Sequence, residues 1–395
     1  MFAQFFASVF SWLFLAVTIY PGWSWCEGEW IQTLTGEAVR IREDWRLWLA
    51  GGFVFWSFAG GTIMPAILAR PDKRRFVGSY GTGEFIDGVD GARLYIETYG
   101  DKYAPPIILT HGWGMDLTIW GPLRDALAQR FRVTVWDLPG MGRSKPGAAG
   151  IAIEAFAANL QRVIERTTTK RVVLIGHSIG GMTTQTLARD HAAFFETRVA
   201  GTVLLNSTYT NPLHTMILSG LVRALQKPLI EPLMHLTRWL YPLAWISSWQ
   251  SYFNGSAHLA NRIGFGPDVT GSQLNHTALL ATRNSPGAQA EGNLAMFHWD
   301  ASRALIGSRV PVLAIGGTLD IVTKPEASDT TASIAPLGQA TLVERANHMG
   351  FLECANAYTQ DIEGFIARLE AAEPGEPHLT VAGRSPVTLP APSLD

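Results

Sequence analysis

The sequence predicts an α/β fold with a mostly parallel sheet, an inserted helical cap and an N-terminal apolar helical membrane segment. Three observations carry this. From residue 94 onward, short β-branched runs alternate with stretches of helical period, which is how a sheet covered by helices is encoded. The alternation lapses between residues 208 and 300 and resumes at 310, and before residue 70 two long stretches carry no charged side chain.

Composition sets the bounds. A chain of 395 residues can form one large domain with an insertion, or two domains, and can bury a substantial core. Hydrophobic residues make up 47%, charged residues 16%, and there are 14 tryptophans, a folded composition with a membrane bias. The formal net charge of −2 gives no electrostatic case for a nucleic-acid partner. Cys26 and Cys354 form neither a disulfide framework nor a C-x-x-C pair, so no metal or redox centre is expected.

Residues 1–75 form the expected membrane-associated region. Residues 1–25 carry no charge, lack a basic leader region and show no A-x-A cleavage signal, which favours a retained helix over a signal peptide. Residues 47–69 are also uncharged and exceed the roughly 20 residues a helix needs to cross a bilayer core of about 30 Å. Their Gly51-Gly52 and Gly60-Gly61 pairs suit close helix packing. Two spans are expected, or one span and one interfacial helix. Arg70, Lys73, Arg74 and Arg75 crowd the exit of the second stretch; positive charge prefers the cytoplasmic face, so residues 70–395 are expected there. A merely solvated basic turn accounts for the same charges equally well.

The α/β core is expected over 76–207 and 301–370. Residues 94–99, 106–110, 133–136, 171–175, 201–206, 310–315 and 340–344 read as strands, and 120–130 and 153–166 as helices. Residues 208–300 form the cap. Its Trp239, Tyr241, Trp245, Trp249, Tyr252 and Phe253 suit either helix packing or the lining of an apolar acyl pocket. Residues 371–395 are rich in proline and poor in large apolar residues, and read as disordered.

A serine stands at the end of one strand. Gly176, Ser178 and Gly180 form G-x-S-x-G between the strand at 171–175 and a helix at 182–188, and the glycines permit a tight turn that lifts the serine above the sheet. With 39 glycines in the chain, a chance glycine-rich loop is the alternative. Serine alone is a poor nucleophile; it needs a base, and the base an orienting carboxylate. Asp320 follows the strand at 310–315 and His348 follows the strand at 340–344, both past carboxyl ends, where open α/β sheets build their sites. A turn-forming Asp and a surface His explain each alone. Asp300, in Phe297-His298-Trp299-Asp300, is the rival acid.

With these residues in place, the chain resembles the α/β-hydrolase family over about residues 80–370. Four blocks carry the resemblance: His111-Gly112-Trp113-Gly114; Asp137-Leu138-Pro139-Gly140-Met141-Gly142-Arg143-Ser144; Gly176-His177-Ser178-Ile179-Gly180-Gly181; and the Asp320 and His348 segments. The resemblance implies an α/β-hydrolase fold and a Ser178-His348-Asp320 triad, with the backbone N–H groups of Trp113 and Ile179 forming the oxyanion hole. It implies a structural role for the Asp137 block, and no cofactor or metal. Serine at 178 argues against the branches that use an aspartate nucleophile, but leaves thioesterase, carbon–carbon hydrolase, haloperoxidase-like and acyltransferase chemistry open. The membrane segment, G-H-S-x-G-G and apolar cap resemble membrane-anchored monoacylglycerol lipases and related esterases, from which two apolar stretches in place of one are a departure. An ester or lipid substrate and membrane lipids are the expected partners; a non-enzymatic membrane scaffold is the opposing class, and the intact triad speaks against it.

Overall fold

The computed structural model describes residues 2–371, with side chains from residue 10 onward, so the expected disordered tail lies outside the described residues apart from Ala371. Two long helices come first. Helix α1 (Phe2–Glu27) and helix α2 (Asp44–Leu68) form an antiparallel pair joined by a small exposed hairpin, β1 (Glu29–Gln32) and β2 (Ala38–Ile41). Among the described residues one helix, α2, is long and apolar enough to cross a membrane.

Eight further strands build the main sheet: β3 (Gly83–Asp87), β4 (Arg93–Tyr99), β5 (Pro106–Thr110), β6 (Arg132–Trp136), β7 (Val172–His177), β8 (Val199–Leu205), β9 (Val312–Gly317) and β10 (Gly338–Val343). Their order is β10-β9-β8-β7-β5-β6-β4-β3. The six strands from β10 to β6 are parallel; β4 and β3 close one edge antiparallel. The central runs are apolar on both faces because helices cover both. Ile108 and Leu174 join one core cluster, whereas Ile107, Leu109, Val173 and Ile175 join the other, the period-two division of a doubly covered sheet.

Register brings the carboxyl ends together. Thr110 pairs with Gly176, His177 with Leu205, Leu205 with Ile315, and Gly317 with Val343. The loops after β5, β7, β8, β9 and β10 therefore leave from one edge of the sheet.

The chain between β8 and β9 is helical, but its two parts differ. Helices Ser219–Leu225, Glu231–Trp239 and Tyr241–Phe253 stand to the outside. By contrast, Phe265, Val269, Leu274 and Leu280 enter one core cluster and Met296 and Trp299 the other, so the later part is fused to the body of the protein. The N-terminal helices are not a free appendage either. Both pack against helices Tyr241–Phe253 and Ser256–Arg262. A side chain at Gly60 would lie 2.3 Å from the Asn254 carbonyl, and Asn254 Nδ2 donates to Ser11 Oγ at 3.2 Å. Gly51 and Gly52 have nothing within 4 Å of where a side chain would begin, so close packing uses only the second glycine pair.

Candidate active site

The turn after β7 is strained in one place, and that place is the serine. Ser178 has φ 51° and ψ −116° between the strand and the helix Ile179–Asp190. A β-carbon at Gly176 would sit 2.4 Å from the Gly180 carbonyl carbon, and one at Gly180 would sit 2.1 Å from the Thr110 carbonyl oxygen. Only glycine fits at either position, which is why the turn can be this tight. The backbone is pinned from β8: Ser178 N–H donates to Leu205 O (3.0 Å) and Ser207 Oγ donates to Ser178 O (2.8 Å). Backbone strain held this firmly is a mark of functional sites.

His348 and Asp320 meet the serine. His348 Nε2 lies 3.2 Å from Ser178 Oγ, and His348 Nδ1 lies 3.0 Å from Asp320 Oδ2. A carboxylate can only accept, so Nδ1 carries the proton and Nε2 is left as an acceptor for the serine hydroxyl. Asp320 is buried. Its Oδ1 accepts from the N–H groups of Val322 (2.8 Å) and Thr323 (2.9 Å), and its Oδ2 from Thr323 Oγ1 (2.8 Å) and Asn206 Nδ2 (2.9 Å). Burial pushes its pKa up, but the charge and hydrogen bond of His348, then Asn206 and the Thr323 backbone, outweigh it and leave the carboxyl below its ordinary value. Asp300 is not part of this group. It is exposed, and its Oδ1 accepts from Ser302 N (3.1 Å) and Ser302 Oγ (2.6 Å) in a local turn.

The two backbone donors named from the sequence lie in the turns after β7 and β5. Ile179 is the first residue of its helix, where an N–H has no acceptor within the helix. Trp113 lies in the turn after β5, closed by Met115 N–H to Gly112 O (3.3 Å). His111 fixes the root of that turn: its Nδ1 lies 2.8 Å from Gly112 O, and its Nε2 accepts from Leu138 N–H (3.0 Å). Accepting at one nitrogen requires a neutral ring, and burial pushes His111 down to about 4. Asp137 braces the neighbouring loop by accepting from Leu117 N–H (2.7 Å), Arg143 N–H (2.8 Å) and Tyr80 OH (3.1 Å). Burial, and then the Asp116 charge, push Asp137 up to about 7.

Four residues that the sequence reading did not single out for the site support it. Asn206 bridges Tyr358 OH (2.7 Å) to Asp320, while His177 places Nε2 3.0 Å from the His348 carbonyl oxygen and so holds the loop that carries the base. Asn284 Nδ2 donates to Gly114 O (2.9 Å), and its Oδ1 accepts from Gly142 N–H (3.2 Å). Gln289 receives the Trp113 indole N–H on its carbonyl (3.2 Å). Asn284 and Gln289 lie within the helical insertion, far in sequence from the loops they tie down. Asn206 had a local signal, an Asn at a strand's carboxyl end with φ 45°, a conformation Asn tolerates.

A strained serine hydroxyl, an imidazole lined up on it and a buried carboxylate behind the imidazole define a hydrolase-type nucleophilic site. The chain belongs to the alpha/beta hydrolase fold family, whose family model matches residues 105–355. Pimeloyl-[acyl-carrier protein] methyl ester esterase of Xylella fastidiosa is 27% identical over 285 residues, covering 70% of this chain and 100% of the relative. Among solved structures, the fold is shared with an esterase from Exiguobacterium antarcticum (TM-score 0.60, 20% identity, 72% of this chain and 100% of that one). It is shared equally with a bromoperoxidase from Bacillus anthracis (TM-score 0.59, 18% identity, 72% and 100%).

Proposed function

We propose that this protein is a serine esterase that cleaves carboxylic esters through an acyl-enzyme. The observation that carries the reading is the continuous Ser178-His348-Asp320 chain, with contacts of 3.2 and 3.0 Å. His348 Nε2 takes the Ser178 proton as Oγ attacks the ester carbonyl, and Asp320 stabilises the imidazolium that forms. The N–H groups of Trp113 and Ile179 receive the oxyanion, where one such donor contributes about 3 kcal/mol to the transition state. His348 then protonates the departing alcohol. Water, deprotonated by the same nitrogen, attacks the acyl carbonyl; the bond to Ser178 Oγ then breaks, Oγ takes the proton back from His348, and the acid leaves.

The substrate class in this reading is an ester with an apolar acyl chain, and the protein is held at a membrane by its N-terminal helices with the catalytic unit on the cytoplasmic side. Two features support the membrane placement: the length and composition of α2, and Arg70, Lys73, Arg74 and Arg75, which follow it. The methyl ester esterase relative supports an ester over other acyl bonds. Turnover of p-nitrophenyl esters of graded chain length, beside matched thioesters, tests the reading. Rates that rise with chain length and favour oxygen esters are expected; preference for thioesters or for the shortest acyl group overturns it.

A further inference from the structure

The N-terminal helices and the outer helices of the insertion set a limit on how the protein can sit in a bilayer. Contact with the catalytic unit reaches α2 at Gly60 and Gly61, whose positions abut the carbonyls of Asn254 and Tyr252. On α1 it reaches Ser11, which meets Ser256 Oγ at 3.3 Å. Residues 44–60 of α2 rise about 24 Å at about 1.5 Å per residue, and residues 11–27 of α1 rise the same. Both lengths fall short of a hydrocarbon core of about 30 Å. A hairpin that crosses the core therefore draws the helices Tyr241–Phe253 and Ser256–Arg262 into the near leaflet with it.

Those helices have the surface this requires. Residues 239–261 contain no Asp, Glu, Lys or Arg. Trp239 is 78% exposed, Ile246 60%, Leu259 51% and Leu243 48%, a run of large apolar side chains facing outward on a segment already packed to α1 and α2. Arg223, Lys227 and Arg238 are exposed just before it, against the single acid Glu231 in the stretch, which suits an anionic headgroup layer.

We propose that the outer face of residues 239–261 is embedded in the acyl layer of the leaflet next to residues 70–75, so that the insertion is itself part of the membrane-binding surface. The proposal rests on the membrane reading given above. It places the catalytic unit about 6 Å deeper than an anchored domain hanging from a linker, the shortfall of the free helix lengths against the core.

The test uses the full-length protein, with Cys26→Ser and Cys354→Ser, reconstituted into equimolar phosphatidylcholine and phosphatidylglycerol vesicles. Single Leu243→Cys and Ile246→Cys variants carry an environment-sensitive dye, and Tyr103→Cys, 74% exposed on the β4–β5 loop, is the reference. Lipids brominated along the acyl chain should quench the dye at 243 and 246 at least about threefold more than at 103. Vesicle-bound protein whose 243 and 246 dyes are quenched only by aqueous iodide overturns the proposal and leaves the membrane reading standing. Protein that does not bind vesicles overturns both. Shielding at 243 and 246 that grows with protein concentration and ignores the brominated lipid assigns the face to a second copy instead.

Discussion

Asp320 is surrounded by donors on every side, and this makes the acid of the site distinguishable from its rival by experiment. Replacing it with Asn puts an amide donor against His348 Nδ1, which favours the tautomer with the proton facing Ser178. Asp320→Asn should then lower kcat by about 10⁴-fold, whereas Asp300→Asn, altering an exposed turn, should leave kcat within about twofold. Steady-state kinetics on one ester decides; the reverse pattern would move the role to Asp300. The same carboxylate ties stability to pH. Its folded pKa lies below the ordinary value, so it binds protons less readily when folded, and its stabilisation is present above the unfolded pKa and lost as pH falls through the folded one. The stability advantage of wild type over Asp320→Asn should therefore be full at neutral pH and shrink below the ordinary carboxylate range, as read by thermal unfolding in detergent. Asn206→Ala leaves both Tyr358 OH and Asp320 short of a partner, and should reduce kcat with little change in KM.

At the scale of elements, the strands were legible wherever both faces are buried. The runs at 106–110 and 133–136 return as β5 and β6 within one residue, because a doubly covered strand leaves a continuous apolar signature. Strand β3 and the β1–β2 hairpin went unread: four of five residues in β3 and all eight in the hairpin are exposed, so no alternation marks them. The grouping of Ser178, His348 and Asp320 was legible for a different reason. Its members follow β7, β9 and β10 in chain order, a pattern in one dimension, whereas Asn284 and Gln289 reach the site only through folding of the insertion. The six cap aromatics illustrate the limit. Trp245 donates to Thr282 O (3.0 Å) and Tyr252 OH to Asn275 Oδ1 (3.0 Å) as packing residues, while Trp239 and Tyr241 face outward. The glycines of the serine turn give the sharpest test at this scale. Gly180→Ala forces a β-carbon into the Thr110 carbonyl and should cost more than about 2 kcal/mol, read as a fall in unfolding midpoint. An unchanged midpoint would mean that the turn has room.

For the whole molecule, the packing of α1 and α2 bears on where the catalytic unit ends. The boundary expected at residue 75 invites truncation of the two N-terminal helices. Removing residues 1–69 would uncover Asn254, Gly255 and Ser256, which pack against α1 and α2. The truncated protein should aggregate or stay with membranes, measured by sedimentation, while full-length protein in detergent remains dispersed and active. A monodisperse, active truncation would show that the helices are dispensable to the fold. The central claim, however, is that one strained serine on this fold attacks acyl carbonyls. Its most direct test is covalent labelling of full-length protein with a fluorophosphonate, followed by peptide mapping and ester turnover. The account predicts a label on Ser178 alone, with Ser178→Ala folded, unlabelled and at least about 10³-fold slower. A label on another serine, or turnover retained in Ser178→Ala, would contradict it.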